Sequence, residues 1–191
     1  MRKVPGSLFV AIVISLFISS CYDNPVVNDS NEIRPLAIGN YWIYSIDTSS
    51  HFYPMFYCDT MRVVSYENLN GYNAYGIDFN KSYILYFNNK NDGQYYYQKT
   101  LHDSTFEYIP QLFIKYPVKI NDTIVVNGKC VSLNSTFNNY SGCIDIIPFD
   151  TTFGGMSNYH EYWKPGIGFI GAQFDFSGKH YMNRLTAYHI Q

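Results

Sequence analysis

From Pro35 onward the apolar residues come in short alternating runs, separated by clusters of Asn, Asp, Gly and Ser. Period-two runs of this length mark β-strands, whose successive side chains point to opposite faces. The pattern predicts strands over residues 41–47, 60–67, 72–79, 82–87, 94–101, 105–114, 123–132, 143–149, 159–164, 169–176 and 181–190. Between them lie Asn68-Leu69-Asn70-Gly71, the run from Asn88 to Gly93, Asn138-Asn139-Tyr140-Ser141-Gly142 and Ser177-Gly178. Asn, Asp and Gly tolerate the positive φ that tight hairpins require. Short strands joined in this way make an antiparallel meander. No segment sustains a 3.6-residue apolar period, so the chain is expected to be all-β with little helix. One β domain is expected over residues 33–191.

Residues 1–20 carry a different pattern. Arg2 and Lys3 precede an apolar run over 8–18, broken only by Ser15, and Ile18-Ser19-Ser20-Cys21 follows. A basic start, an apolar stretch too short to span about 30 Å of hydrocarbon, and small residues before a cut describe a signal peptide. A cysteine directly after the small pair resembles the lipobox of bacterial lipoproteins, whose thiol is acylated and becomes the mature N-terminus. Cys21 is therefore the expected lipid attachment site. Ile18 departs from the usual Leu, and Ser19 and Ser20 from the commoner Ala or Gly. Residues 21–32, rich in Asn, Asp and Pro without periodicity, read as the lipidated N-terminus and a flexible tether. The expected location is the envelope of a Gram-negative bacterium, on the outer membrane, facing the periplasm or the outside.

Composition narrows the partners. The chain has 15 acidic against 13 basic residues, and both charges of the leader are basic, so the remainder is more acidic still. Lys and Arg form no cluster, which argues against nucleic acid and against a polybasic membrane patch. The membrane is reached through acyl chains on Cys21 alone, and the protein is expected to be a monomer. Twenty Tyr, 14 Phe and only 15% charged residues favour strands. With Cys21 acylated, Cys58, Cys130 and Cys143 remain, an odd set in an oxidising compartment. Cys130 and Cys143 flank a turn-rich stretch. A hairpin folded near Phe137 brings them face to face as a disulfide; otherwise they are buried thiols acting as small apolar residues. Cys58 reads as a buried thiol.

Pro35-Leu36-Ala37-Ile38-Gly39-Asn40-Tyr41-Trp42 aligns without gaps to Pro117-Val118-Lys119-Ile120-Asn121-Asp122-Thr123-Ile124. Pro fixes an extended entry, Ile plugs the core, and Gly39 or Asn121 reverses the chain into a strand. This motif resembles a group of uncharacterised bacterial lipoproteins that share Pro-apolar-x-x-Gly-Asn-x-Trp-x-Tyr soon after the lipidated cysteine. Here that motif runs from Pro35 to Tyr44. The second Pro-led corner, the turn Ser141-Gly142-Cys143, and Trp163-Lys164-Pro165-Gly166-Ile167-Gly168 match the same group. The second corner departs from it, with Asn121 for Gly and Ile124 for Trp. The resemblance implies a strongly curved antiparallel sheet, an open half-barrel or barrel-like form similar to periplasmic lipoprotein carriers. It implies no established activity and no catalytic residues.

The chemistry-bearing residues give no enzyme signature, and the chain is expected to be non-enzymatic, without cofactor or metal. His51, His102, His160, His180 and His189 are scattered. His160 and Glu161 are adjacent, so in a strand they point to opposite faces and read as solvated surface residues. The Gly-x-Ser-x-Gly elbow of a hydrolase does not occur. Asp145 with Asp150, or Asp175 with Glu161, are the acid pairs a glycosidase would need, and ordinary surface acids are the simpler reading. The oxygen-rich run from Asn88 to Asp92 lacks the acidic spacing of a calcium loop. Gly166 and Gly168 read as a bulge or corner. Aromatics are what remains: Tyr95 and Tyr97 share a face, with Tyr96 opposite. A Tyr-rich surface can stack on a carbohydrate ring or hold a small apolar ligand, and it can equally fill a core. Binding a ligand or an envelope component is thus the leading expectation. The alternative is a structural or assembly lipoprotein with no small-molecule site.

Overall fold

The computed structural model describes residues 32–46, 60–102, 105–124, 128–148 and 156–191. The expected signal peptide over 1–20, Cys21, nearly all of the expected tether, Cys58, Asp150 and His51 lie outside them. The described residues form one twelve-stranded antiparallel sheet. Its strands are β1 (Tyr41–Ile46), β2 (Thr60–Leu69), β3 (Tyr72–Phe79), β4 (Tyr83–Lys90), β5 (Gly93–His102), β6 (Thr105–Lys115), β7 (Thr123–Ile124), β8 (Gly128–Phe137), β9 (Tyr140–Pro148), β10 (Met156–Lys164), β11 (Gly168–Phe176) and β12 (Lys179–His189). The order is β6-β5-β4-β3-β2-β1-β12-β11-β10-β9-β8-β7, so each strand pairs with its chain neighbour and β1 pairs with β12.

The expected all-β meander is therefore the observed one, with two adjustments. The single strand expected over 123–132 is two strands, β7 and β8. The run after Asn88 remains strand as far as Lys90, and the turn is confined to Asn91 and Asp92. Hairpins close where Asn and its neighbours accept positive φ: Asn70 at 54°, Asn80 and Lys81 at 54° and 58°, Asn138 at 54°, and Ser177 and Gly178 at 49° and 73°.

The two Pro-led corners have the same backbone geometry. Gly39 has φ 98° and Asn121 φ 71°, and both values lie where Gly and Asn are at home. In the first corner Asn40 N–H donates to Ala37 C=O, Gly39 N–H to Val63 C=O, and Val63 N–H to Asn40 C=O. In the second, Asp122 N–H donates to Lys119, Asn121 N–H to Cys130, and Cys130 N–H to Asp122. Each corner thus locks onto the strand that follows its own. The chain divides into two halves of six strands, each opened by one corner.

The sheet curls one face inward. Phe113 of β6 meets Trp163 of β10 edge-on at 5.8 Å between ring centroids, although these strands lie far apart in the sheet order. The interior is filled by Trp42, Tyr44, Met61, Val63, Ile77, Phe87, Phe137, Tyr162, Ile170 and Leu185. A second cluster of Ile33, Ile114, Cys130, Ile144, Ile146 and Trp163 lies where the two free ends approach. Those ends, β6 and β7, are not hydrogen-bonded to each other, so the barrel-like sheet stays open. Lys115 and Asp122 form an ion pair of 2.9 Å beside this seam.

Residues 32–34 cross the interior as a strap. Ile33 and Arg34 are buried. The Arg34 guanidinium carbon lies 4.7 Å from the centroid of Phe87, 5.9 Å from Trp42 and 6.0 Å from Phe113. Its Nη2 donates to Oε1 of the buried Gln94. Asn89 Nδ2 donates to the Arg34 carbonyl and to the Glu32 carboxylate, each at 2.9 Å. The Glu32 carbonyl accepts from Gly166 N–H at 2.9 Å. Glu32, assigned to the tether by its sequence, is therefore held by the domain. Gly168 explains itself here: with φ 106°, its missing Cβ would stand 2.9 Å from Arg34 Cγ.

The cysteine pairing is not formed: Cys130 and Cys143 are free and buried. The β8–β9 hairpin turns at Asn138-Asn139, beyond Phe137, so Cys130 faces Ile146 and Cys143 faces Ser135. Their thiols meet different carbonyls, those of Ser132 and Tyr140. Burial pushes both thiols up from their ordinary range.

Both tryptophans are core residues. Trp42 is fully buried, and its indole N–H donates to the Ile167 carbonyl at 2.7 Å. Trp42→Ala is expected to cost about 3–5 kcal/mol of the roughly 5–15 kcal/mol available to a domain. Urea unfolding checks this: the variant should have lost its cooperative transition, and a midpoint equal to the wild type would contradict the assignment.

Candidate functional site

Strands β2 to β6 bury one face in the interior and carry a separate aromatic cluster on the other. The division follows side-chain parity. Tyr75, Phe87 and Tyr96 pack against the main core, whereas their neighbours Ala74, Tyr86 and Tyr97 point outward. Register aligns the outward set. Tyr97 of β5 lies opposite Tyr86 of β4, and Tyr86 opposite Gly76 of β3. Leu69 lies opposite Tyr72 at the β2–β3 turn.

Tyr97 is the centre of this cluster. Its ring is buried with Leu69 and Ala74 and lies 5.6 Å from the ring of Tyr72. Its hydroxyl is also buried and has no hydrogen-bond partner among the described residues. A hydroxyl held away from water without a partner costs about 1–3 kcal/mol. Tyr86 meets Tyr108 edge-on at 5.9 Å. Its hydroxyl donates to the Glu67 carboxylate at 3.2 and 3.3 Å, and Ser65 Oγ donates to the same carboxylate at 2.8 Å. Burial, then the Glu67 charge, pushes the Tyr86 hydroxyl up from its usual range. Tyr72 is 42% exposed and Leu112 38%, so the cluster opens outward through large apolar side chains.

Of the two tyrosines singled out in the sequence, Tyr97 is buried and Tyr95 half-buried at the edge of this face. Lys90 Nζ stands 4.2 Å from the centroid of the Tyr95 ring, and the Tyr95 hydroxyl donates to Asp92 at 2.8 Å. That hydrogen bond, followed by burial, raises the Tyr95 hydroxyl pKa. Tyr96 lies opposite, as expected, its hydroxyl donating to Gln111. Tyr72, Tyr86, Tyr108 and Glu67 join the cluster through pairings between strands. Parity along one strand cannot show them, but a β4–β5 hairpin centred on Asn91-Asp92 pairs Tyr86 with Tyr97.

The other candidates separate. His160 Nδ1 and Asp145 Oδ1 are 2.8 Å apart, while Glu161 accepts from Tyr159 Oη at 2.8 Å and from Trp163 Nε1 at 3.3 Å. The neighbours thus face opposite ways, but Glu161 is not the solvated residue its charge suggests. Asp175 binds Asn158 at 2.7 Å and His180 at 2.8 Å, so it and Glu161 do not converge. The polar run before Gly93 is spent inside the chain: Asn88 donates to the Asn73 carbonyl, and Asn89 holds the strap. No group of three metal-ligating side chains occurs among the described residues. Searches of protein-family profiles, curated proteins and solved structures find no match to this chain.

Burial raises the Glu161 pKa, and the bonds from Tyr159 and Trp163 only partly oppose it. A carboxyl whose folded-state pKa lies above its unfolded value favours the fold when protonated and burdens it once pH rises through that pKa. Glu161→Gln removes the charge and keeps one acceptor oxygen for Trp163 Nε1, while its amide NH₂ donates to the Tyr159 hydroxyl, which can accept in place of donating. Thermal unfolding should show a higher Tm for the variant at pH 7, with the difference shrinking as pH falls through the raised pKa and gone by about pH 4, near the unfolded value. A variant less stable at pH 7 would mean that the ionised carboxylate is the favoured form.

Proposed function

We propose that this chain is a lipid-anchored lipoprotein of the bacterial envelope, held on the outer membrane through Cys21, and that it binds without catalysing. The leader and lipobox-like Ile18-Ser19-Ser20-Cys21 support the anchor. The outer tyrosine face supports the binding role, and one observation carries it: the buried Tyr97 hydroxyl has no partner among the described residues, beneath exposed aromatic surface. Rings offer stacking area, while the Tyr97 hydroxyl and the Glu67 carboxylate offer polar contacts. That combination suits a small ligand with apolar faces and hydroxyls, a carbohydrate before a purely apolar molecule. The second reading is a structural or assembly lipoprotein with no small-molecule site. The side chains filling the interior favour it, since ligand contact is then left to the outer face.

Cys21→Ser should move the protein from the membrane to the soluble fraction, because acyl chains bind at about 0.8 kcal/mol per buried CH₂. Retention on membranes after a carbonate wash would count against the anchor.

The binding role is tested by aromatic NMR shifts during titration with maltotriose and, separately, with octanoate. A saturable shift on the Tyr72, Tyr86 and Tyr97 rings is expected, strongest with maltotriose. Tyr97→Phe should leave Tm unchanged or raise it, since it removes an unpaired buried hydroxyl, yet weaken the titration several-fold. No shift from either probe would hand the assignment to the structural reading.

A further inference from the structure

The same outer face carries, at its other end, a pocket of about 340 Å³ lined by Thr60, Arg62, Asp78, Asn80 and Lys81. Arg62 of β2 lies directly opposite Asp78 of β3, a placement that sets Cβ atoms about 5 Å apart. Lys81 sits on the β3–β4 turn, with φ 58°. That turn is tied to the start of β2: Asn80 N–H donates to the Thr60 carbonyl at 3.0 Å, and Thr60 N–H to Asn80 Oδ1 at 2.7 Å. Among the described residues, the side chains of Arg62, Lys81 and Asp78 enter no hydrogen bond or ion pair. Ile84, 46% exposed, pairs with Asp78 on the far side and places an apolar side chain next to the pocket's lining.

The charges select a ligand class. Arg62 presents a planar fork that matches a carboxylate, and Lys81 adds a second cation. Asp78 between them repels a bare anion but accepts hydrogen bonds from hydroxyls. A ligand that satisfies all three carries one carboxylate and several hydroxyls on a compact ring with an apolar C–H face. We propose that this pocket binds a carboxylated sugar, its carboxylate on Arg62 and Lys81, its hydroxyls on Asp78, and its C–H face toward Ile84. The pocket shares no residue with the tyrosine face, so the two assignments stand separately.

Calorimetric titration of the full-length protein in detergent, with glucuronate, glucose and inorganic phosphate in turn, tests the proposal. Saturable glucuronate binding is expected, with glucose and phosphate each at least about tenfold weaker. Arg62→Gln should weaken glucuronate about tenfold. Asp78→Asn should strengthen phosphate more than glucuronate, because it relieves a repulsive charge for both anions but replaces, for glucuronate, one of the carboxylate oxygens that accept from its hydroxyls. Phosphate binding as tightly as glucuronate, Asp78→Asn strengthening both alike, or no saturable glucuronate binding would overturn the proposal.

Discussion

A guanidinium enclosed by aromatic rings is the constraint around which this sheet is organised. An arginine taken out of water needs hydrogen bonds and polarisable faces in return, and Arg34 receives Gln94 together with Phe87, Phe113 and Trp42. These partners come from β1, β4, β5 and β6, so one side chain ties together four of the six strands in the first half of the chain. The rings that surround it also build the core, and their positions require the sheet to curl. The aromatic wealth of the sequence is therefore divided between two tasks. Interior rings enclose a cation and fill volume, whereas the tyrosines of the opposite face are left to meet whatever lies outside.

The matching corners at Gly39 and Asn121 give the molecule a twofold plan with unequal joints. In one joint β1 and β12 pair along the whole of β1. In the equivalent one, β6 and β7 stay apart, and the apolar side chains of Ile33, Ile114 and Cys130 lie between the halves instead. A short β7 is the local reason. Two residues of strand offer few backbone groups to pair with β6, whereas β1, opening on Tyr41 and carrying Trp42, runs for six. The departures of the second corner, Asn121 for Gly and Ile124 for Trp, thus coincide with the half that closes less fully.

Much of this plan was legible in the sequence because strands and tight turns are local. Period-two alternation located the strands, Asn and Gly located the hairpins, and the repeated Pro-led motif located both corners. What escaped was set by register and enclosure. Cys130 and Cys143 looked symmetric about Phe137, but the turn falls at Asn138-Asn139 and bulges along β8 shift the pairing. Glu161 read as a solvated charge, because nothing in a single strand announces which carboxylate neighbouring side chains will cover. The tyrosine face was half visible: Tyr95 and Tyr97 share a strand, while Tyr72, Tyr86 and Glu67 reach them only across strands.

The strap has a mechanical meaning. Residues 32–34 are fastened on one side to Asn89 and Gln94 and on the other to Gly166, which belong to opposite halves of the chain. A pull on the segment ahead of Glu32 therefore reaches both halves at once, through several bonds loaded in parallel, before it reaches β1. The C-terminus lies at the same corner, with Gln191 N–H donating to Asn40 Oδ1 at 3.0 Å. Force entering at the N-terminal side is thus spread across the barrel wall, and β1 is shielded from being unzipped from its end.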